Sequence, residues 1–314
     1  MTALEMFGLC ASATIGDGRP NEALHTARMT LRRDHHHPHV RAWRDASSLE
    51  NDMADTTAQR TIYSIQWLYR LDPTFHDLPA SSQHAAKESF LRALEGRDKG
   101  VTLRGAYSLV GLRADADLLF WVWDDDLDAL QRLGVALRQS ELGRHLIQAE
   151  TYLGVVSVPR YDPEHSPAFV TGAPPKRYVS VYPFVKTNEW YATPFDDRRR
   201  MMAEHGQMGR KYAIPRERVV ELARAARGEA TATATSAAAT ATATEEGGGV
   251  LSNTVDSFAL GDYDFILANE SDDPAELKDM MLALRAVESR KYTKLDTPIY
   301  FGRLRTPAEA LADL

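Results

Sequence analysis

The sequence predicts an α+β protein made of two ferredoxin-like halves. Three observations carry that prediction. The order strand-helix-strand-strand-helix-strand occurs twice, the apolar runs are strand-sized, and the helical stretches between them repeat their apolar residues with a helical period. With 314 residues, 44% hydrophobic and 26% charged, the chain can bury a sizeable core.

The first half, expected over 59–175, opens with a strand at Arg60–Arg70, rich in β-branched and aromatic residues. Ser81–Glu95 follows with helical spacing through Ala85, Phe90, Leu91 and Leu94. Val101–Leu112 and Asp117–Trp123 read as two strands across an Arg-Ala-Asp-Ala turn, Leu127–Ser140 as a helix and Gln148–Val158 as a closing strand. The second half, expected over 176–314, repeats the order. Tyr178–Phe184 reads as a strand, Pro194–Glu204 as a helix, and Leu251–Ala259 and Tyr263–Ala268 as strands. Pro274–Ser289 then reads as a helix and Pro298–Gly302 as the last strand.

Two regions stand outside this order. Residues 1–58 are polar and irregular and read as a disordered extension; its Asp34-His-His-His-Pro-His39 cluster reads as a solvated tail rather than a metal site. Met53 offers an alternative start, which would make the preceding stretch an over-extended reading frame. The second region, about 215–249, reads as an insertion: a short helix with Val219, Leu222, Ala223 and Ala226 on one face, then an Ala-Thr-rich loop ending in Gly247-Gly-Gly249.

Charge and composition narrow the function. A net charge of -7 argues against a nucleic-acid partner held by bulk charge. The longest apolar runs, such as Leu118-Leu-Phe-Trp-Val-Trp123, are too short to span a bilayer. Cys10 is the single cysteine, so no intramolecular disulfide forms, and a reducing, cytoplasmic setting is expected.

The densest polar and aromatic stretch runs from Tyr182 to Tyr191 and on through Arg198 to Tyr212. Within it, His205 ends a helical pattern directly before Gly206, a residue that favours helix termination. An imidazole there serves equally as a partner for the helix dipole or as a metal ligand, with Glu204 available to hydrogen-bond its other nitrogen. Spacing alone leaves both readings open.

The neighbouring motifs are more specific. They are Tyr182-Pro-x-x-Lys186, Glu189-Trp-Tyr191 and His205-Gly-x-x-Gly-Arg-x-Tyr212. Arg104–Leu118, His165-Ser-Pro-Ala-Phe169 and Asn253–Asp264 join them in order. Together this set resembles the actinobacterial coproheme decarboxylase branch of the chlorite dismutase superfamily, over about Arg60 to Leu304 without the insertion.

The resemblance implies a dimeric α+β barrel fold, usually assembled as a homopentamer, whose C-terminal half holds a porphyrin. It implies hydrogen-peroxide-dependent oxidative decarboxylation of two propionates of iron coproporphyrin III (coproheme) to vinyls, giving haem b. That is the last step of coproporphyrin-dependent haem biosynthesis, with coproheme as both substrate and redox centre and a coproporphyrin ferrochelatase as a possible donor. Under it His205 is the proximal iron ligand, Tyr182 the tyrosine oxidised to a radical, and His165 the distal base toward peroxide. Lys186, Arg285 and Arg177 become propionate-binding cations, Lys186 sharing a strand face with Tyr182. Other branches place Gln or Arg on the distal side; here that position falls near Ser252, whereas raw counting would offer Arg218. Trp190 and Met202 are expected in the core or pocket wall. The alternatives are a chlorite-decomposing or peroxidase enzyme on the same fold, which requires a distal arginine, and a haem- or porphyrin-binding transfer protein without turnover.

Overall fold

A computed structural model describes residues 59–159, 167–229 and 248–314 of the chain. The expected disordered extension, its histidine cluster, His165 and most of the Ala-Thr-rich loop lie outside the described residues.

The N-terminal strands and helices are β1 (Gln59–Leu71), α1 (Ala80–Glu95), β2 (Thr102–Ser108), β3 (Leu118–Asp124), α2 (Leu127–Gln139) and β4 (Leu146–Pro159). A one-turn helix, α3 (Ala168–Thr171), leads to β5 (Tyr178–Lys186), a short α4 (Asn188–Ala192), α5 (Phe195–Arg210) and α6 (Arg216–Ala226). Then come β6 (Leu251–Asp256), β7 (Phe265–Ser271), α7 (Pro274–Leu284), β8 (Thr293–Leu295), β9 (Tyr300–Arg305) and α8 (Pro307–Ala312). Side-chain caps fix several helix starts: Asp126 accepts from the Asp128 amide at α2, and Thr306 and Glu309 form a reciprocal capping box at α8.

All strand pairings are antiparallel, in the order β7-β6-β4-β1-β3-β2-β9-β5, and β5 pairs again with β7. That last pairing closes the sheet into a barrel, with β8 attached outside it to β5. The halves join along β2–β9 and at one β4–β6 pair, Val155 with Asp256. At that junction Gly154 lies so close to Val255 that a Cβ would collide with it, which is why the crossing needs glycine.

Strand alternation sorts the side chains into two environments. Inside the barrel sit Ile62, Leu68, Trp121, Val179, Val181, Val255, Ile266 and Ala268. Also inside is a buried ion pair in which Arg104 donates to Glu270 (Nη2 to Oε2, 2.6 Å) and to the Ala173 carbonyl. The Tyr107 hydroxyl and the Asn253 amide complete the shell of Glu270, at 3.0 and 3.4 Å. Two of the sequence motifs, Arg104–Leu118 and Asn253–Asp264, therefore meet on one carboxylate that ties the halves together.

Four local readings change. The α5 helix runs past Gly206 to Arg210, because neither Gly206 nor Gly209 adopts a left-handed conformation, and helical hydrogen bonding continues at a cost of about 1 kcal/mol per glycine. The stretch expected as one helix to Ser289 ends at Leu284; Val287 is extended, and a 3-10 turn follows at Glu288–Tyr292. In α6, Ala226 is exposed, while Val219, Val220 and Leu222 are half-buried and Ala223 is buried. Finally, α3, α4, β8 and α8 were not expected as separate elements.

Candidate functional site

The outer face of β5, β6 and β7 is roofed by α5 and α7, and between them lies a cleft of about 260 Å³. The strand wall carries Tyr182, Ser252, Thr254, Leu267 and Asn269, and the helix wall His205, Gly206 and Gly209. Lys186, Arg285, Ser289, Arg290 and Asp296 line one end.

Tyr182 is buried, and its hydroxyl donates to Met281 Sδ at 3.2 Å while accepting from Asn269 Nδ2 at 3.2 Å. Burial pushes the phenol up to about 12, so it keeps its proton at neutral pH; the Asn269 hydrogen bond only partly offsets this.

Lys186 emerges two pleats further along the same strand face. Its ammonium lies 4.3 Å from the Trp190 ring centroid and 5.1 Å from that of Phe184, and donates to the Ser289 carbonyl at 3.4 Å. Desolvation, with a lesser contribution from the Arg290 charge, brings it down to about 8. No carboxylate pairs with this ammonium among the described residues, so the position suits an anionic group from a ligand. Asp264 fixes the strand end instead: it accepts from the Lys186 backbone amide at 2.7 Å and from the Tyr191 hydroxyl at 2.6 Å.

His205 sits on the face of α5 turned to the cleft. Desolvation first, and then the Lys186 charge, hold its pKa below the ordinary histidine range, leaving the ring neutral with a free lone pair. Its ring makes no hydrogen bond among the described residues. Glu204 does not support it, because that carboxylate accepts from the Glu288 backbone amide at 3.1 Å. Beside the imidazole, Gly206, Gly209 and Ala213 leave a stripe almost without side chains. A Cβ built on Gly209 would enter open space, meeting no atom within 4 Å. A bare helix face, a neutral imidazole and the apolar side chains of Phe184, Leu267, Met280, Met281 and Leu284 in the lining fit a flat aromatic macrocycle with a central metal.

Asp296 anchors the cationic end, accepting from Arg290 at 2.6 Å and Arg285 at 3.4 Å. The break between α7 and the 3-10 turn aims Arg285, Ser289 and Arg290 inward. Arg290, Asp296, Asn269 and Met281 were not found in the sequence, since their partners are distant in the chain; Arg290 lay just past the stretch read as helix to Ser289.

Not every sequence candidate reaches the cleft. Arg177 precedes β5 and lies with its guanidinium 5.2 Å over the Tyr178 ring, outside the lining, because it falls at the far end of the strand. Arg218 is exposed on α6 and pairs with Glu221 at 2.8 Å, again outside the lining. Ser252 does line the strand wall. Met202 is exposed rather than packed, whereas Trp190 is buried against Tyr292.

A closed α+β barrel with an imidazole-bearing cleft on one half defines the class, and the chlorite dismutase family model matches residues 83–224 and 238–305: the chain belongs to that family. It is 35% identical over 215 residues to the coproheme decarboxylase of Mycolicibacterium smegmatis, covering 68% of this chain and 77% of that protein. The coproheme decarboxylase of Staphylococcus carnosus is 26% identical over 171 residues, covering 48% of this chain and 68% of the relative. Among solved structures, the fold matches chlorite dismutase from Candidatus Nitrospira defluvii in complex with imidazole. That match has a TM-score of 0.60 at 22% identity, over 80% of this chain and 94% of the other. Among the described residues, no helix is long and apolar enough to cross a membrane.

Proposed function

We propose that the protein is a coproheme decarboxylase, using hydrogen peroxide to convert two propionates of coproheme to vinyls and release haem b. The observation that carries this reading is the pairing of a buried, proton-retaining Tyr182 with a neutral His205 on opposite walls of one cleft that ends in cations. Each conversion takes carbon dioxide, one proton and two electrons from a propionate carboxylate; those two electrons, that proton and a second proton from solvent reduce one peroxide to two waters. The bound iron porphyrin, with peroxide, supplies the oxidising power.

The chain's own residues do the rest. His205 would hold the iron through its free lone pair. Lys186, with Arg285 and Arg290 behind it, would anchor propionate carboxylates. Tyr182 gives up its hydrogen only together with an electron, since at a pKa of about 12 it does not ionise first. Met281 and Asn269 fix the direction of its O–H. His165 as the base toward peroxide, a homopentameric assembly, a cytoplasmic setting and delivery by a ferrochelatase belong to the same proposal.

The test is to load the protein with coproheme, titrate peroxide and follow stepwise mass loss. Two losses of carbon dioxide are expected, and a Tyr182→Phe variant should bind coproheme normally yet lose at least roughly 100-fold in rate. Bleaching without vinyl product would exclude the decarboxylase and favour binding and transfer without turnover, and full activity in the Tyr182→Phe variant would mean that another residue carries the step. The arginine that raw counting offered for the chlorite-decomposing alternative, Arg218, lies outside the lining of the cleft.

A further inference from the structure

Past Ala213 the cleft adjoins a second cavity of about 410 Å³. Ala213, Ser252 and Thr254 line both spaces. Beyond that junction the walls are Val219 and Val220 of α6, Ala168 and Thr171 of α3, and Val250. The N-terminal half has no counterpart to α6, since α1 passes to β2 without an intervening helix. The extra helix therefore builds this cavity. Ala223 is buried, while Val219 and Val220 remain only half-buried and line the open space.

Size and charge both bear on the occupant. Small-molecule sites occupy roughly 300–1,000 Å³, so the first cleft alone is small for a tetrapyrrole, whereas the two spaces together fall within that range. Apolar walls without a partner are unfavourable unless a ligand covers them. At the start of α6, Arg216 lines the second cavity and has no hydrogen bond or ion pair among the described residues. Lys186, Arg285 and Arg290 line only the first space. Cations thus stand on both sides of the junction, as a disc with carboxylates on more than one edge requires.

We propose that the porphyrin spans both cavities and that Arg216 binds a carboxylate on the rim which the first cation group does not reach. Arg216 then selects for a tetracarboxylate porphyrin over a dicarboxylate one. This rests on the porphyrin reading above and adds to it a specificity-determining residue carried by the inserted helix.

The experiment is a fluorescence titration of the full-length protein with metal-free coproporphyrin III and, separately, metal-free protoporphyrin IX, so that iron ligation by His205 contributes nothing. An Arg216→Gln variant should lose about two- to fivefold in affinity for the tetracarboxylate, as expected for a solvent-accessible ion pair. Its affinity for the dicarboxylate should stay unchanged, and Arg216→Lys should recover most of the loss. Val220→Trp, which fills the second cavity, should weaken both porphyrins by at least roughly tenfold. Equal losses for the two porphyrins in Arg216→Gln, or unchanged binding in that variant, would overturn the assignment. A folded Val220→Trp variant with wild-type affinity would overturn the spanning geometry; if it does not fold, Arg216→Gln and Arg216→Lys decide alone. If the wild-type protein binds neither porphyrin, the underlying functional reading fails first, and this inference falls with it.

Discussion

In the N-terminal half, α1 closes over the outer face of β1 and β3 with Ala86, Phe90 and Leu94, against Ile65, Trp67, Tyr69, Phe120 and Val122. In the C-terminal half, α5 lies over the corresponding face of β5 and β7 and leaves a cleft, and the buried apolar cluster beside it is only Val250, Leu277 and Met280. The two helices have the same length, 16 residues, and each follows a proline. Counted from the helix start, Met201 stands where Ala86 stands, His205 where Phe90 stands, and Gly209 where Leu94 stands. Fold and frame are shared, and the difference is side-chain volume. Where the first half places a phenyl ring and an isobutyl group, the second places an imidazole and a hydrogen. One half is a packed core, and the other is the same architecture with part of its core withheld for a ligand.

Three substitutions test that comparison, beginning with the largest effect. Phe90→Ala should destabilise the protein by about 3–5 kcal/mol, read by denaturant unfolding, because it hollows the packed half. Porphyrin affinity of the folded fraction should not change. A loss of affinity equal to the loss of stability would mean that the halves do not separate core from cleft.

Gly209→Leu makes the second half resemble the first. Porphyrin affinity should fall by at least about 100-fold, while the melting temperature of the ligand-free protein should rise, since leucine is the better helix former by roughly 0.8–1 kcal/mol. Unchanged affinity would show that this face of α5 does not meet the ligand.

The smallest effect concerns Lys186, which counted back from the helix start stands where the packed half has Leu71. It must be protonated to hold a carboxylate, so coproporphyrin affinity should decline severalfold as pH rises through about 8, and Lys186→Met should flatten that profile. The stability effect has the opposite sign. The folded protein holds this proton less tightly than the unfolded chain, so the lysine's contribution to stability rises with pH between about 8 and 10.5. A flat wild-type binding profile across that range would separate Lys186 from carboxylate recognition.

Much of this architecture was legible in the chain. The repeated element order, the strand-sized apolar runs and the ordered motifs through Tyr182, Lys186 and His205 follow from local periodicity and short spacings, which neighbouring residues determine. The glycine after His205 misled, because glycine permits a helix end without requiring one, and α5 keeps helical backbone through Gly206 and Gly209 to Arg210. The α8 capping box at Thr306 and Glu309 was available in the sequence and was missed.

What the sequence by itself determined was the pair of ferredoxin-like units and the residue types able to bind a metalloporphyrin. Tertiary structure alone decided which of them share a space. It brought Asn269 and Met281 to the Tyr182 hydroxyl, placed Asp296 beneath Arg285 and Arg290, and left Arg177 and Arg218 outside. Those outcomes depend on β5–β7 closure and on the break after Leu284, contacts between residues far apart in the chain that no local pattern encodes.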